Sequence, residues 1–335
     1  MFNASEEKTL LDIFKIYAPS NGEQKMIAYI EYYLKKHNLP YTKDENGNIF
    51  NVSNKNRPLL SAHMDSVGDS NCGFLNAFVN IFDYRGDRLM KGMGNIGGDD
   101  KCGIFLILRK LLTDNTLNFI FTIGEERGCI GINQVLPKND ISELPYGLVL
   151  DRRGSGDIIC VENFYGNKEF DAALAEVGKE FGYTSQRGLS SDAGKISDYI
   201  NCANLSVAYH NPHSKNEFVS LTQLYNTSLY LDAIIERFKD KKFDKNKKFV
   251  SSYSGGYTNS KTSTSIYGDD EYGYYDEYGT WHYKQKQADY YRLNFYCNIC
   301  GKYKPNADKV TVKSDKGYTE TICWACDSKR RAKTK

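Results

Sequence analysis

Five short stretches of this chain carry metal-ligand residues in one order: His63-Met64-Asp65, Gly98-Asp99-Asp100-Lys101, Gly124-Glu125-Glu126, Asp151, and His213-Ser214-Lys215-Asn216-Glu217. Zinc takes imidazole nitrogen and carboxylate oxygen at about 2.0–2.2 Å, and a catalytic zinc keeps one position for water. Two such ions about 3.5–4 Å apart need one bridging carboxylate and about two further protein ligands each. The inventory satisfies that count: Asp99 as the bridge, His63 and Asp151 on one ion, Glu126 and His213 on the other. Glu125 is then left over beside a ligand, where it is suited to act as a base on the attacking water. Asp65, two residues after His63, is suited to accept the other imidazole N–H and so orient the ring. The chemistry such a set performs is hydrolysis of a peptide or related amide bond. Metal binding can lower the pKa of water from about 15.7 to about 7, whereas a positioned base adds about 10²–10⁴-fold. The metals are therefore the larger effect, and Glu125 tunes it.

Each stretch alone has a plainer reading. A histidine at a strand end is more often a hydrogen-bonded surface residue than a ligand. Paired acids are usually solvated, and Asp99-Asp100 could cap a helix beginning at Lys101. The plain readings must explain five coincidences in order, and the ordered set outweighs them. His37 and His282 read as surface residues.

These residues need elements to position them. Leu10, Leu11, Ile13, Phe14 and Ile16 suggest an opening amphipathic helix that stops near Pro19, and Ile27 to Leu34 a second one that ends by Pro40. Between them Ser20-Asn21-Gly22-Glu23 resembles a helix start. Apolar runs at Pro58 to Ala62, Leu117 to Ile123, Tyr146 to Leu150 and Leu205 to Ala208 read as buried strands, bounded by Gly, Asn and Asp. Helical stretches lie at Lys101 to Leu112, Glu169 to Phe181 and Leu221 to Phe238. This interleaving predicts an α/β fold with a mixed, largely parallel sheet sandwiched by helices. Ligands of such sheets gather at the carboxyl ends of the strands. His63, Glu125 with Glu126, Asp151 and His213 each follow an apolar run, so four of the five stretches are expected on one rim.

The 335 residues exceed one ordinary domain. We read 1–240 as the catalytic domain, 241–290 as a low-complexity linker, and 291–335 as a small C-terminal module. Ser251 to Tyr290 is rich in Ser, Gly, Tyr and Asp with few aliphatics, too few to offset ordering. Its tyrosines leave open a sticky segment that covers a surface or mediates weak association. A net charge of +2 gives no bulk attraction to nucleic acid or membrane. No apolar run is long enough to span a bilayer, and the start lacks the pattern of a signal peptide. A cytoplasmic protein is expected. The scattered Cys72, Cys102, Cys129, Cys160 and Cys202 are expected to be small buried residues rather than disulfides.

The ordered set resembles the dinuclear zinc exopeptidases that include tripeptidase T, carboxypeptidase G and the single-domain bacterial leucyl aminopeptidases. Carrying the likeness are Ser61 to Asp65, Gly97 to Gly103, Gly124 to Glu126, Leu150 to Asp157 and His213 to Glu217, with Asn46-Gly47-Asn48-Ile49 ahead of the first strand. It covers residues 1 to about 240. In that family the first aspartate of the Asp-Asp pair bridges the metals and the peptide to the next is often cis, which the resemblance implies for Asp99 and Asp100. His213 is preferred to His210 as the last ligand because His-Ser-x-x-Glu followed by Phe218-Val219-Ser220 matches the family's closing phrase. Asp192 stands where relatives place a site-supporting aspartate. Many relatives insert a lid or dimerisation domain between the fourth and fifth ligands; here residues 152 to 212, 61 in all, are too few for one. Arg152 and Arg153 beside Asp151 either neutralise a carboxylate of substrate or face solvent. The metals are expected to be two zinc ions, with cobalt or manganese as alternatives at so carboxylate-rich a site.

Cys297-x-x-Cys300, then 22 residues, then Cys323-x-x-Cys326 is the spacing of a zinc ribbon, a closed site of four thiolates around one structural zinc. Iron in a rubredoxin-like site is the alternative. The basic end Lys329 to Lys335 leaves contact with nucleic acid or protein open. Together these observations favour a metallo-exopeptidase, an aminopeptidase or a di/tripeptidase, acting on short peptides. The alternatives are a deacylase acting on an N-acylated amino acid with the same metals, and a non-catalytic binding protein with the ribbon as adaptor.

Overall fold

The computed structural model describes residues 1–67 and 78–245, and beyond them the segments Gly273–Tyr275, Trp281–Tyr283, Asn294–Tyr296, Tyr303–Pro305, Lys309–Lys313, Thr319–Cys323 and 325–327. Strands in the first part are β1 (Thr42–Lys43), β2 (Ile49–Asn51), β3 (Leu59–His63), β4 (Asn80–Tyr84), β5 (Asp87–Lys91), β6 (Asn118–Thr122), β7 (Gly147–Arg152), β8 (Asp157–Ile159), β9 (Thr184–Gln186), β10 (Cys202–Ser206), β11 (Tyr209–His210) and β12 (Phe218–Ser220). The helices are α1 (Ala4–Phe14), α2 (Gln24–Lys36), α3 (Gly98–Thr113), α4 (Ile130–Val135), α5 (Lys168–Gly178), α6 (Asp192–Ile196) and α7 (Leu221–Arg237).

The main sheet runs β1-β2-β6-β3-β7-β10-β8-β9. Its centre, β6-β3-β7-β10, is parallel, while β1, β2 and the β10–β8 pairing are antiparallel. The expected mixed, largely parallel sheet is what forms. Alternate residues of the central strands face opposite layers. Leu60 and Ala62 of β3, Phe119 and Phe121 of β6, and Leu148 and Leu150 of β7 pack with residues of α1, α2, α3, α5 and α7. Their neighbours Leu59, Ile120 and Val149 pack on the other face with residues of α4 and α6. Both faces are thus covered, which is why the apolar runs read as continuous rather than alternating.

Local chemistry sets the helix starts. The Asn3 side chain accepts the Ser5 and Glu6 amides while Glu6 accepts the Asn3 amide, a reciprocal cap for α1. The Ser220 hydroxyl accepts the Gln223 amide and begins α7. α3 lies along the centre, buried from Gly98 through Leu108, and packs on β3 and β7.

A second, smaller sheet has the order β11-β12-β5-β4, antiparallel throughout. Sequence periodicity does not announce it. β4 is a mostly exposed edge strand, and its hairpin to β5 turns through Arg85 and Gly86, both at positive φ. Residues 152–212 fold as β8, α5, β9, α6, β10 and β11 of the two sheets, with no inserted domain among the described residues. The packed chain also runs past residue 240: Phe243 is buried against Phe170 and Phe238, and the Phe243 and Asp244 carbonyls accept from Asn201 and Asn167. Among the described residues no helix is long and apolar enough to cross a membrane.

The chain divides into two units, Met1–Ser252 and Tyr253–Lys335. Among the described residues the second holds three antiparallel pairs: β13 (Gly273–Tyr275) with β14 (Trp281–Tyr283), β15 (Asn294–Tyr296) with β16 (Tyr303–Pro305), and β17 (Lys309–Lys313) with β18 (Thr319–Cys323). The first of these falls within the expected linker, most of which lies outside the described residues. Cys297 and Cys300 also lie outside them, as does Cys72. Cys323 ends β18, and Cys326 belongs to the helical turn 325–327.

Gly103 lets α3 approach the sheet beside the rim. A Cβ there would lie 2.3 Å from the Leu150 carbonyl oxygen and 2.6 Å from Asp100 Oδ1, distances no packed Cβ tolerates. Gly103→Ala is expected to cost about 1–3 kcal/mol through overpacking, read as a lower urea midpoint with an unchanged slope.

Candidate metal centre

Two strands, a short turn, the head of a helix and one loop bring the site together at the carboxyl end of the sheet. His63 is the last residue of β3 and Asp151 lies in β7. Glu125 and Glu126 form a short 3-10 turn with Arg127 just beyond β6, entered through Gly124 at φ +58. Asp99 and Asp100 sit at the head of α3 with non-helical backbone, and the peptide between them is cis, as the resemblance implied. Regular helix therefore begins only after Asp100. His213 does not come directly from a main-sheet strand as expected. It stands in the β11–β12 connection of the smaller sheet, with its backbone at φ +57.

Asp99 joins the two halves. Its Oδ1 lies 3.0 Å from His63 Nε2, and its Oδ2 lies 3.1 Å from His213 Nε2. Asp151 Oδ1 is 3.5 Å from the same His63 nitrogen, and Glu126 Oε1 is 2.8 Å from His213 Nε2. His63, Asp99 and Asp151 thus form one set of three donors, and Asp99, Glu126 and His213 another, each with all donor atoms within 4.8 Å of one another. Ligands held at about 2.0–2.1 Å around a tetrahedral ion lie about 3.3–3.4 Å apart. The observed spacings scatter around that edge, so the donor set fits two metal ions sharing Asp99.

Asp65 holds His63 through its backbone more than its side chain. His63 Nδ1 is 2.9 Å from the Asp65 carbonyl oxygen and 3.4 Å from Oδ1. With Nδ1–H donated there, Nε2 presents its lone pair to the site. The Asp65 carboxylate accepts the Ser20 hydroxyl at 2.6 Å and the Glu125 amide at 2.9 Å. Ser20 to Glu23 therefore serves the site rather than capping α2, whose start has no side-chain cap. Glu23 Oε1 accepts the amides of Asn21 and Gly124.

Glu217 lies in the closing phrase of the motif set, whose spacing by itself gives it no role. It is fully buried and accepts the amides of Ile96 at 2.8 Å, Gly97 at 2.7 Å and Asp99 at 3.3 Å. Asp100 accepts the His63 amide through Oδ2 and the Gly103 amide through Oδ1. It caps α3, as its plain reading held, and ties that helix to β3. Asn204 brackets Asp151 by accepting its amide and donating to its carbonyl. The Tyr209 hydroxyl lies 3.2 Å from the Asp151 carbonyl oxygen and 3.4 Å from Oδ1. Nothing in the local sequence around Ser20, Asn204 or Tyr209 signals these contacts, which cross 45 to 58 residues.

Other expectations fall out as follows. His210 bonds Gln223 at 2.7 Å and stacks on Phe218, away from both donor sets. His37 packs on the Tyr33 ring, and His282 lies in β14. Arg152 is paired with Asp157 at 3.0 Å, while Arg153 is exposed. Asp192 is buried and accepts the Thr122 hydroxyl at 2.7 Å. Cys102, Cys129, Cys160 and Cys202 are all buried.

The site crowds acids into low dielectric. Burial, with Asp99 adding repulsion, pushes Asp151 up to about 7 in the chain by itself. Burial and the charge on Asp151 push Glu125 up to about 9. Hydrogen bonds to Asp99 and Glu126 raise His213 to about 10. For His63 burial works downward, yet its bonds to Asp151, Asp65 and Asp99 hold it well above the usual range. The acids thus hold protons because burial and mutual repulsion penalise their charged forms, and the histidines hold theirs because carboxylates face them.

The fold is that of solved α/β peptidases. The chain is similar to aminopeptidase PepT from Bacillus cereus, at 15% identity over 69% of this chain and 97% of that one, with a TM-score of 0.55. A tripeptidase from Staphylococcus aureus aligns at 14% identity over 70% and 98%, with a TM-score of 0.56. An aminopeptidase from the archaeon Desulfurococcus kamchatkensis aligns at 17% identity over 69% and 95%, with a TM-score of 0.52. No protein-family model and no curated protein sequence matches the chain.

Lys101 offers a pH test of the buried network beneath the site. Its Nζ donates to the Ile96 carbonyl at 2.8 Å and the Phe14 carbonyl at 3.3 Å, and burial lowers its pKa from 10.5 to about 7. An unfolded chain keeps this proton up to 10.5, whereas the folded chain gives it up near 7. Folding therefore releases a proton in that window, and Lys101's contribution to stability rises with pH across it. A gap of that size amounts to up to about 5 kcal/mol. Lys101→Met is expected to flatten this rise, seen by comparing urea denaturation of the two proteins from about pH 7 to 10.

Proposed function

We propose that this protein is a metal-dependent exopeptidase that removes residues from short peptides. The observation that carries the proposal is the Asp99 carboxylate, each oxygen of which faces a different histidine, with Glu125 alongside. The names of the solved neighbours, aminopeptidases and a tripeptidase, support the same reading. Two divalent ions, zinc first and cobalt or manganese as alternatives, would be held by His63, Asp99 and Asp151 and by Asp99, Glu126 and His213. Bound there, they supply a polarised substrate carbonyl and a water acidic enough to attack it.

The chain's own residues do the rest. Glu125 Oε takes the proton from the attacking water and returns it to the departing amine. Its raised pKa in the chain alone falls as positive charge is brought in among the carboxylates. Asp65 holds two parts in register at once, the His63 ring through its carbonyl and the Glu125 amide through its carboxylate. Asn204 and Tyr209 fix Asp151 so that its carboxylate faces His63. The buried thiols Cys102, Cys129 and Cys160 fit the reducing cytoplasm proposed for it. A single structural zinc on Cys297, Cys300, Cys323 and Cys326 remains part of the proposal for the C-terminal unit.

Glu125→Gln is expected to retain its metals and lose about 10²–10⁴-fold in turnover; unchanged turnover would remove Glu125 from the mechanism. Mass spectrometry of a mixed pool of peptides and N-acyl amino acids, incubated with metal-loaded protein, identifies the substrate. Loss of single residues from peptide termini, absent with the variant, is the expected result. Loss of acyl groups instead makes the protein a deacylase. No change with fully metallated protein favours the binding-protein reading. Asp65→Asn keeps the carbonyl that holds the His63 ring and alters the carboxylate that fixes the Glu125 amide, so it is expected to lower turnover more than metal affinity, the latter measured by competition with a chromogenic chelator.

A further inference from the structure

Beside Glu125 the fold assembles a third group of possible ligands, of which the proposed mechanism uses Glu125 alone. Cys129 Sγ lies 3.6 Å from Glu125 Oε1. One oxygen of Asp192 completes the group, with the three donor atoms all within 4.8 Å of one another. A tetrahedral ion with sulfur at about 2.3 Å and oxygen at about 2.0 Å sets those two ligands about 3.5 Å apart. The sulfur–oxygen distance in the chain already has that value. Cys129 and Asp192 come from the starts of α4 and α6, elements that pack together on one face of the sheet, and Cys129 is held at φ +57.

A second observation points to a cation. Asp192 is only 2% exposed. The Thr122 hydroxyl occupies Oδ2, and Oδ1 is buried with no well-aligned hydrogen-bond donor, the Cys129 thiol being the polar group beside the carboxylate. Leaving a buried carboxylate oxygen unpaired is costly, and a cation is the partner that removes most of the cost. Burial, with Asp192 and Glu125 adding charge, keeps the Cys129 thiol protonated far above its usual range, so a nucleophilic or redox role finds no support.

We propose that Glu125, Cys129 and Asp192 form a third site for a thiophilic divalent cation such as zinc or cadmium, filled after the paired site, and that filling it inhibits hydrolysis. On binding, the Sγ–H bond breaks, a sulfur–metal bond forms, and the proton leaves to solvent with no change in oxidation state. Glu125 is then committed to the ion and no longer takes a proton from water. The inhibitory consequence rests on the hydrolytic reading of Glu125; the binding site itself does not. Sulfur in the donor set separates this site from the imidazole and carboxylate pair, so manganese is expected to fill the pair without filling it.

The test titrates metal-free full-length protein with cobalt(II) and follows thiolate-to-cobalt charge-transfer absorption, beside Cys129→Ala and Cys129→Ser. The cysteines near the C-terminus contribute equally to all three, so the difference spectrum isolates Cys129. Expected is an extra charge-transfer component in the wild-type protein at high cobalt, absent from both variants, with one more cobalt bound per chain. Superimposable spectra at every ratio overturn the site. Excess zinc is expected to lower wild-type turnover about 100-fold, the scale of losing a base, and each variant far less relative to its own turnover at limiting zinc. Equal inhibition of all three overturns the inhibitory role. Should no hydrolysis be found at all, the exopeptidase reading fails, while the cobalt spectra still decide the site.

Discussion

At least five carboxylates and two histidines converge on a site that is buried at His63, Asp99 and Asp100 and opens to solvent at His213, and the repulsion among the acids is the constraint that the surrounding structure answers. Two unit charges about 4 Å apart interact by about 4 kcal/mol at an effective dielectric near 20. Asp99, Asp100 and Asp151 are all buried or nearly so, so a cluster of this size cannot be fully ionised without compensation. The chain supplies part of it as backbone amides. Glu217 receives three, Asp100 two, and Asp65 one with a hydroxyl. Hydrogen bonds to charged groups contribute about 1.5–3 kcal/mol each, enough to orient these side chains but not to neutralise the centre.

Those amides also explain why the rim loops have their shapes. The head of α3 departs from helical geometry at Asp99 and Asp100, which frees the amides of residues 97 and 99 to point at Glu217. Gly103 permits the close approach of the helix to β7. The loop after β6 turns through Gly124 so that the Glu125 amide meets Asp65 and the Gly124 amide meets Glu23. Precision at the donor atoms is thus distributed over strands β3, β6 and β7 and over contacts that reach back to the loop between α1 and α2.

Much of this was legible in the sequence, for definite reasons. The parallel centre of the sheet announces itself because strands buried on both faces are unbroken apolar runs, as at Leu117 to Ile123. The donor residues are legible because they follow such runs. What escaped are elements and contacts without a period. β4 and β5 are half-exposed strands whose pattern is neither apolar nor alternating. Ser20 looked like a capping residue because a hydroxyl accepts an amide or donates to a carboxylate equally well, and only the approach of Asp65 decides which. Composition puts the end of the packed chain at 240, and Phe243 extends it through ring contacts that composition cannot reveal.

The β11–β12 connection has a consequence of its own. Within five residues it supplies His213 to one set of donors and Glu217 to the amides that hold Asp99, the residue both sets share. A hinge movement of that single loop would release a donor and unfasten the common residue together. The His63 side depends on that loop only through Asp99; His63 and Asp151 themselves are anchored on β3 and β7. The two halves of the centre are therefore unequal in rigidity: one is set by the main sheet, the other by a segment whose two ends pair in a short antiparallel hairpin.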